Sequence, residues 1–156
     1  MGTKKHIFMI QLVIVLLACT RTDGLDPVNK SSIGLALRGY DTVAFFTENN
    51  PVPGNEQYRH TWNGARWHFT SEENRDAFAR NPERYAPQYG GYCAYAVSHG
   101  YTADGDPQVW KIVDRKLYLN YNREARQLWE EDVPGNIAKG DGNWPGFLKR
   151  MPEHKG

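Results

Sequence analysis

Pro87-Gln88-Tyr89-Gly90-Gly91-Tyr92-Cys93-Ala94-Tyr95-Ala96-Val97-Ser98-His99-Gly100 is the stretch around which the rest of the chain is organised. Two glycines free the backbone just ahead of Cys93, and Cys-Ala-Tyr-Ala-Val has the small and apolar residues of a short buried helix. Cys93 then falls in the first turn, where unpaired N–H groups and the positive end of the helix dipole favour a thiolate. It also reads as a small buried hydrophobe, the state of most free cysteines. The sequence leaves both open. A helix running as far as His99 turns about 600° from Cys93, which leaves the two side chains roughly 120° apart on different faces.

Upstream, Tyr58-Arg59-His60-Thr61-Trp62-Asn63-Gly64-Ala65-Arg66-Trp67-His68-Phe69 carries a strong hairpin signal at Asn63-Gly64. Pairing across that turn sets Trp62 opposite Ala65, His60 opposite Trp67 and Tyr58 opposite Phe69 on one face, with Arg59, Thr61, Arg66 and His68 on the other. His60 among aromatics is either a hydrogen-bonded core residue or a ligand or proton carrier. Ser71-Glu72-Glu73-Asn74 opens a helix, with Ser71 as its cap and the acids in its first turn. That helix carries Ala77 and Phe78 inward and stops at Asn81-Pro82, where Asn81 caps a second short turn. Further upstream, Gly39-Tyr40-Asp41-Thr42-Val43-Ala44-Phe45-Phe46 runs from a turn into a short strand or helical turn. Asp41 is its single charge and reads as a cap, with metal binding or catalysis as alternatives.

Downstream, Val109–Val113 and Lys116–Tyr121 form a second hairpin about Asp114-Arg115, with Trp110, Ile112, Leu117 and Leu119 on one face. Asn122 caps a helix from about Arg123 to Asp132, with Ala125, Leu128 and Trp129 as its apolar stripe. Pro134-Gly135 breaks it, and Asn136-Ile137-Ala138 with Trp144-Pro145 reads as a packed tail. The fold expected is a small single α+β domain: two antiparallel hairpins packed against several short helices.

The chain has 156 residues and a formal charge of +1, with no basic stripe. One domain fits that length, and nucleic-acid binding has no electrostatic support. Lys4-Lys5 precede a run from Ile7 to Ala18 broken only by Gln11. That pattern matches a secretory signal, and it is too short to span a bilayer. Leu16-Leu17-Ala18-Cys19 also resembles a bacterial lipobox. The organisation expected is a signal peptide over 1–18, a flexible tether over 19–32, the domain over 33–149 and a frayed tail over 150–156. Lipid on Cys19 would anchor an exported protein in the cell envelope or periplasm. It would also leave Cys93, the one other cysteine, without a disulfide partner.

A resemblance then emerges. Gly39-Tyr40-Asp41-x-Val43-Ala44-x-Phe46, His60-x-Trp62-x-Gly64-Ala65, Phe69-x-Ser71-x-Glu73-Asn74-Arg75-x-x-Phe78 and Asn81-Pro82-x-x-Tyr85-Ala86-Pro87-Gln88-Tyr89-Gly90-Gly91-Tyr92-Cys93-Ala94 resemble the YHS-domain family, in its exported lipoprotein branch with the YGGYCAYA motif. Asp106-Pro107-x-x-Trp110 and Leu117-Tyr118-Leu119-Asn120-Tyr121-Asn122 resemble the extension of that branch, so the likeness runs from about Gly39 to Trp144. It implies metal binding. Where short relatives have cysteines this chain has Asp41-Thr42-Val43 and Thr70-Ser71-Glu72-Glu73, so a closed four-ligand zinc site does not carry over. The expectation is an open site at Cys93 with His60 and Asp41, for copper or zinc, or for iron through the carboxylate. The alternatives are an interaction module with an envelope protein partner, or a redox sensor or enzyme using Cys93 as nucleophile and His60 as base.

Overall fold

The computed structural model describes residues 25–151. The signal peptide expected over 1–18, and Cys19, lie outside the described residues. The architecture is the expected one, a small α+β fold with two separate antiparallel two-stranded sheets and several helices. No helix among the described residues is long and apolar enough to cross a membrane.

In chain order the elements are α1 (Ala44–Thr47), β1 (Asn55–Trp62), β2 (Ala65–Phe69), α2 (Glu72–Arg80), α3 (Pro82–Tyr85), α4 (Ala94–Ser98), β3 (Asp106–Val113), β4 (Lys116–Asn120), α5 (Arg123–Glu130) and α6 (Val133–Leu148). Asn63 and Gly64 both have positive φ (49° and 71°), as the tight β1–β2 turn requires. His60 pairs with Trp67 and Trp62 with Ala65. Beyond Arg59 the register shifts, so Phe69 pairs with Asn55 instead of Tyr58. Extra residues bulged into one strand are invisible to a strict alternation.

The β3–β4 turn closes with Asp114 and Arg115 in the same left-handed conformation (49° and 64°). Leu117 and Leu119 of β4 face a first core with Phe45, Trp67, Phe69 and Phe78. Tyr118, on the opposite face, joins a second core with Tyr89, Val97, Trp129 and Phe147. One strand with period-2 side chains thereby separates two apolar clusters.

Helix ends follow local rules. Ser71 Oγ accepts the Asn74 N–H at 3.1 Å, Asn122 Oδ1 that of Ala125 at 2.8 Å and Asp132 Oδ1 that of Gly135 at 3.0 Å. Asn81 makes no side-chain cap; Pro82 alone starts α3. The expected break at Pro134-Gly135 is instead the start of α6, because Pro is tolerated in a first helical turn. Leu128 is 37 % exposed, so Trp129 carries the α5 stripe almost alone.

Packing reaches beyond residues 33–149 at both ends. Residues 26–30 are packed on the domain: Val28 is buried, the Asn29 N–H donates to Gly90 O at 2.8 Å and the Tyr92 hydroxyl to Asp26 O at 2.9 Å. The described part of the expected tether thus belongs to the fold. Met151, placed in the frayed tail, is buried in the second core.

Candidate functional site

Asp41 is fully buried, and its carboxylate is spent on backbone and side-chain donors around it. Oδ1 accepts the N–H groups of Val43 (2.8 Å) and Ala44 (3.2 Å). Oδ2 accepts the Thr70 N–H and hydroxyl (2.8 Å each) and the Asn74 side-chain amide (2.7 Å). The capping role is the observed one, and it also ties α1 to the start of α2.

His60 lies on β1 with its ring edge-on to Phe78, centroids 6.1 Å apart. Cys93 lies on other elements, at the N-cap of α4 rather than in its first turn. Its N–H donates to Ala103 O at 2.8 Å, and it bridges to Leu119 of β4. The side chain is 1 % exposed, and Sγ sits 3.6 Å from Asn120 Oδ1. The sulfur's polar partner is therefore an amide oxygen, which accepts the thiol proton, and not an imidazole. His99 caps the far end of α4 with its Nδ1 2.9 Å from Tyr95 O, apart from Cys93 as expected.

Among the described residues no three His, Cys, Asp or Glu side chains are grouped so as to hold a metal ion. Asp41, His60 and Cys93 are thus not brought together as one donor set. Asp41, with five hydrogen bonds already accepted, has least to offer a cation. The residues present do not fit a metal centre built from three such ligands.

What the geometry does build at Cys93 is a hollow of about 350 Å³ between α4, α5 and the loop after α4. Tyr95, Ala96, Tyr101, Ala103, Tyr121, Ala125 and Leu128 line it with the cysteine. Glu124 and Asn122 are its polar members. Tyr101 and Tyr121 are more than half exposed, and with Leu128 they place three exposed large apolar side chains round one opening. Asn120 is fully buried; its oxygen also accepts the Tyr95 N–H at 3.0 Å, while its Nδ2 has no hydrogen-bond partner. The sequence reading missed Asn120 as the partner of Cys93. Its signal was an amide on the inward Tyr118 side of an apolar strand.

Comparison with curated proteins and with solved structures gives no match. A family model, described as the YHS domain, matches residues 43–89, from the start of α1 to the turn before Cys93. His60 lies inside that span, and Asp41 and Cys93 lie outside it. Over residues 43–89, less than half of its length, the chain is thus similar to the YHS domain.

Proposed function

We propose that the protein is a non-catalytic binding module of the cell envelope, exported by its leader and held at the membrane through lipid on Cys19, which takes a small apolar ligand in the hollow over Cys93. The observation that carries this is the gathering of Tyr101, Tyr121 and Leu128 round an opening whose wall is otherwise mostly apolar, with Asn122 and Glu124 as its polar members. Singly exposed apolar residues need no explanation, but three rimming a concavity of ligand size do. The thiol forms part of the wall and contributes a polarizable contact.

Two measurements test it. An apolar fluorescent dye, 1-anilinonaphthalene-8-sulfonate, should brighten on the native protein and slow alkylation of Cys93. Ala125→Trp, which fills the hollow, should abolish both effects. Dye binding that ignores this substitution, or does not protect the thiol, defeats the proposal.

The similarity to the YHS domain over 43–89 supports a second reading, in which a copper, zinc or iron ion is bound with Cys93 as its soft donor and His60 as the expected partner. Competition titrations with Cu(I) and Zn(II) on wild type and Cys93→Ala decide it, since equal affinities eliminate the thiol as a ligand. Elemental analysis of protein from its native membrane would settle the metal.

A further inference from the structure

We propose that a second cleft, between the tip of the first hairpin and α6, binds a saccharide. It has a volume of about 440 Å³, within the range of small-molecule sites, and shares no lining residue with the hollow over Cys93. Of the three tryptophans that line it, Trp67 is buried, and the two half-buried indoles come from different elements: Trp62 at the end of β1 and Trp144 on α6. Neither ring is loose. Trp62 packs edge-on against Phe78 (5.8 Å, 87°) and beside Trp67 (5.9 Å). Trp144 packs against Tyr89 and Tyr92, both at 6.0 Å. Indoles pinned in this way offer preorganised flat apolar surfaces, the complement of the C–H face of a sugar ring.

The polar lining fixes the class of ligand. Asn63, Glu83, Gln88, Lys116 and Asp141 face the same cleft. The side chains of the first four make no hydrogen bond or ion pair among the described residues, and Asp141 accepts one, from the Tyr89 hydroxyl at 2.9 Å. Burial and the neighbouring carboxylate both push the Tyr89 pKa upward, so its hydroxyl stays a donor to Asp141 and leaves that carboxylate's other oxygen for a ligand. Two carboxylates accept, an ammonium donates, and two amides do both. Hydroxyl groups, each donor and acceptor, satisfy such a mixed set. A purely apolar ligand would strip water from these groups and return nothing. An organic cation would suit the indoles and carboxylates but would meet the Lys116 ammonium on the same wall.

The test is intrinsic tryptophan fluorescence and calorimetry on the folded chain with three probes, maltotriose, cellotriose and N,N′,N″-triacetylchitotriose, and with tetramethylammonium as a fourth. Saturable binding of at least one saccharide is expected, in the range of about 1 mM or tighter. Trp62→Ala and Trp144→Ala should each weaken it by about tenfold. Trp144→Phe, which keeps an aromatic surface and guards against loss of fold, should retain most of it, with thermal melts run on every variant. No saturable response to any of the three saccharides overturns the proposal. So does saccharide binding that survives loss of either indole in a folded variant, and so does binding of tetramethylammonium alone, which would mark a cation site.

Discussion

Asn120 Oδ1 receives two groups from the same neighbouring segment, the thiol of Cys93 at 3.6 Å and the backbone N–H of Tyr95 at 3.0 Å. One side chain at the end of β4 thereby holds the start of α4 in place. Asn120→Ala removes that acceptor, leaves the part-buried Tyr95 N–H without a partner and opens a small void. A loss of about 2–3 kcal/mol is expected in denaturant melts. Cys93 should also alkylate faster in the native state, because the segment that covers it is released. An unchanged alkylation rate would mean that Asn120 does not govern access to the sulfur.

The five hydrogen bonds accepted by Asp41 join residues 43, 44, 70 and 74. Asp41→Ala should cost about 4 kcal/mol, because several buried donors lose their acceptor at once. Asp41→Asn should cost less, about 2 kcal/mol, since one oxygen survives while an NH₂ is turned towards donors. If Asp41 served chiefly as a ligand, both variants would melt like the wild type.

Two glycines of α6 should respond oppositely to the same substitution. A Cβ at Gly140 would lie 2.5 Å from the Tyr89 hydroxyl oxygen and 2.7 Å from the ring carbon that carries it, whereas a Cβ at Gly142 would meet nothing within 4 Å. Gly142→Ala should stabilise by up to about 1 kcal/mol through helix propensity. Gly140→Ala should destabilise by about 1–3 kcal/mol by driving the phenol away from Asp141. Equal shifts in thermal melts would contradict this placement of α6.

His68 is held below its usual pKa of 6.5 by burial first; Arg66 and Arg59 act in the same direction, and Glu56 opposes them. Its neutral form is therefore the one the fold prefers. The unfolded chain binds the proton more readily, so the His68 contribution to stability is intact above pH 6.5 and is lost as the pH falls below it. His68→Gln should flatten the stability profile just below pH 6.5. A profile unchanged there would remove His68 as its source.

The sequence was most informative where structure is local. Asn63-Gly64, Ser71 and Asn122 each carry their own turn or cap chemistry, and each does in the fold what that chemistry dictates. The Trp110–Leu117 faces were equally legible because a tight turn leaves one register. Sequence spacing failed where distant segments meet. Nothing near Cys93 announces that its neighbour is Asn120, 27 residues on, or that His60 points to Phe78 instead. Helix α6 was misread for a different reason. Its Gly140, Gly142, Pro145 and Gly146 argue against a helix locally, and packing against α4 overrides them.

That override affects the tryptophan-lined cleft, whose far wall is α6, with Asp141, Trp144, Pro145 and Leu148 facing inward. A segment so poor in helix formers keeps its shape only while docked, so the binding surface and the docking stand or fall together. Rare excursions of this segment away from α4 would dismantle half the cleft at a stroke. A ligand that fills the cleft binds only the docked form and so would hold α6 wound, at some cost to its own affinity.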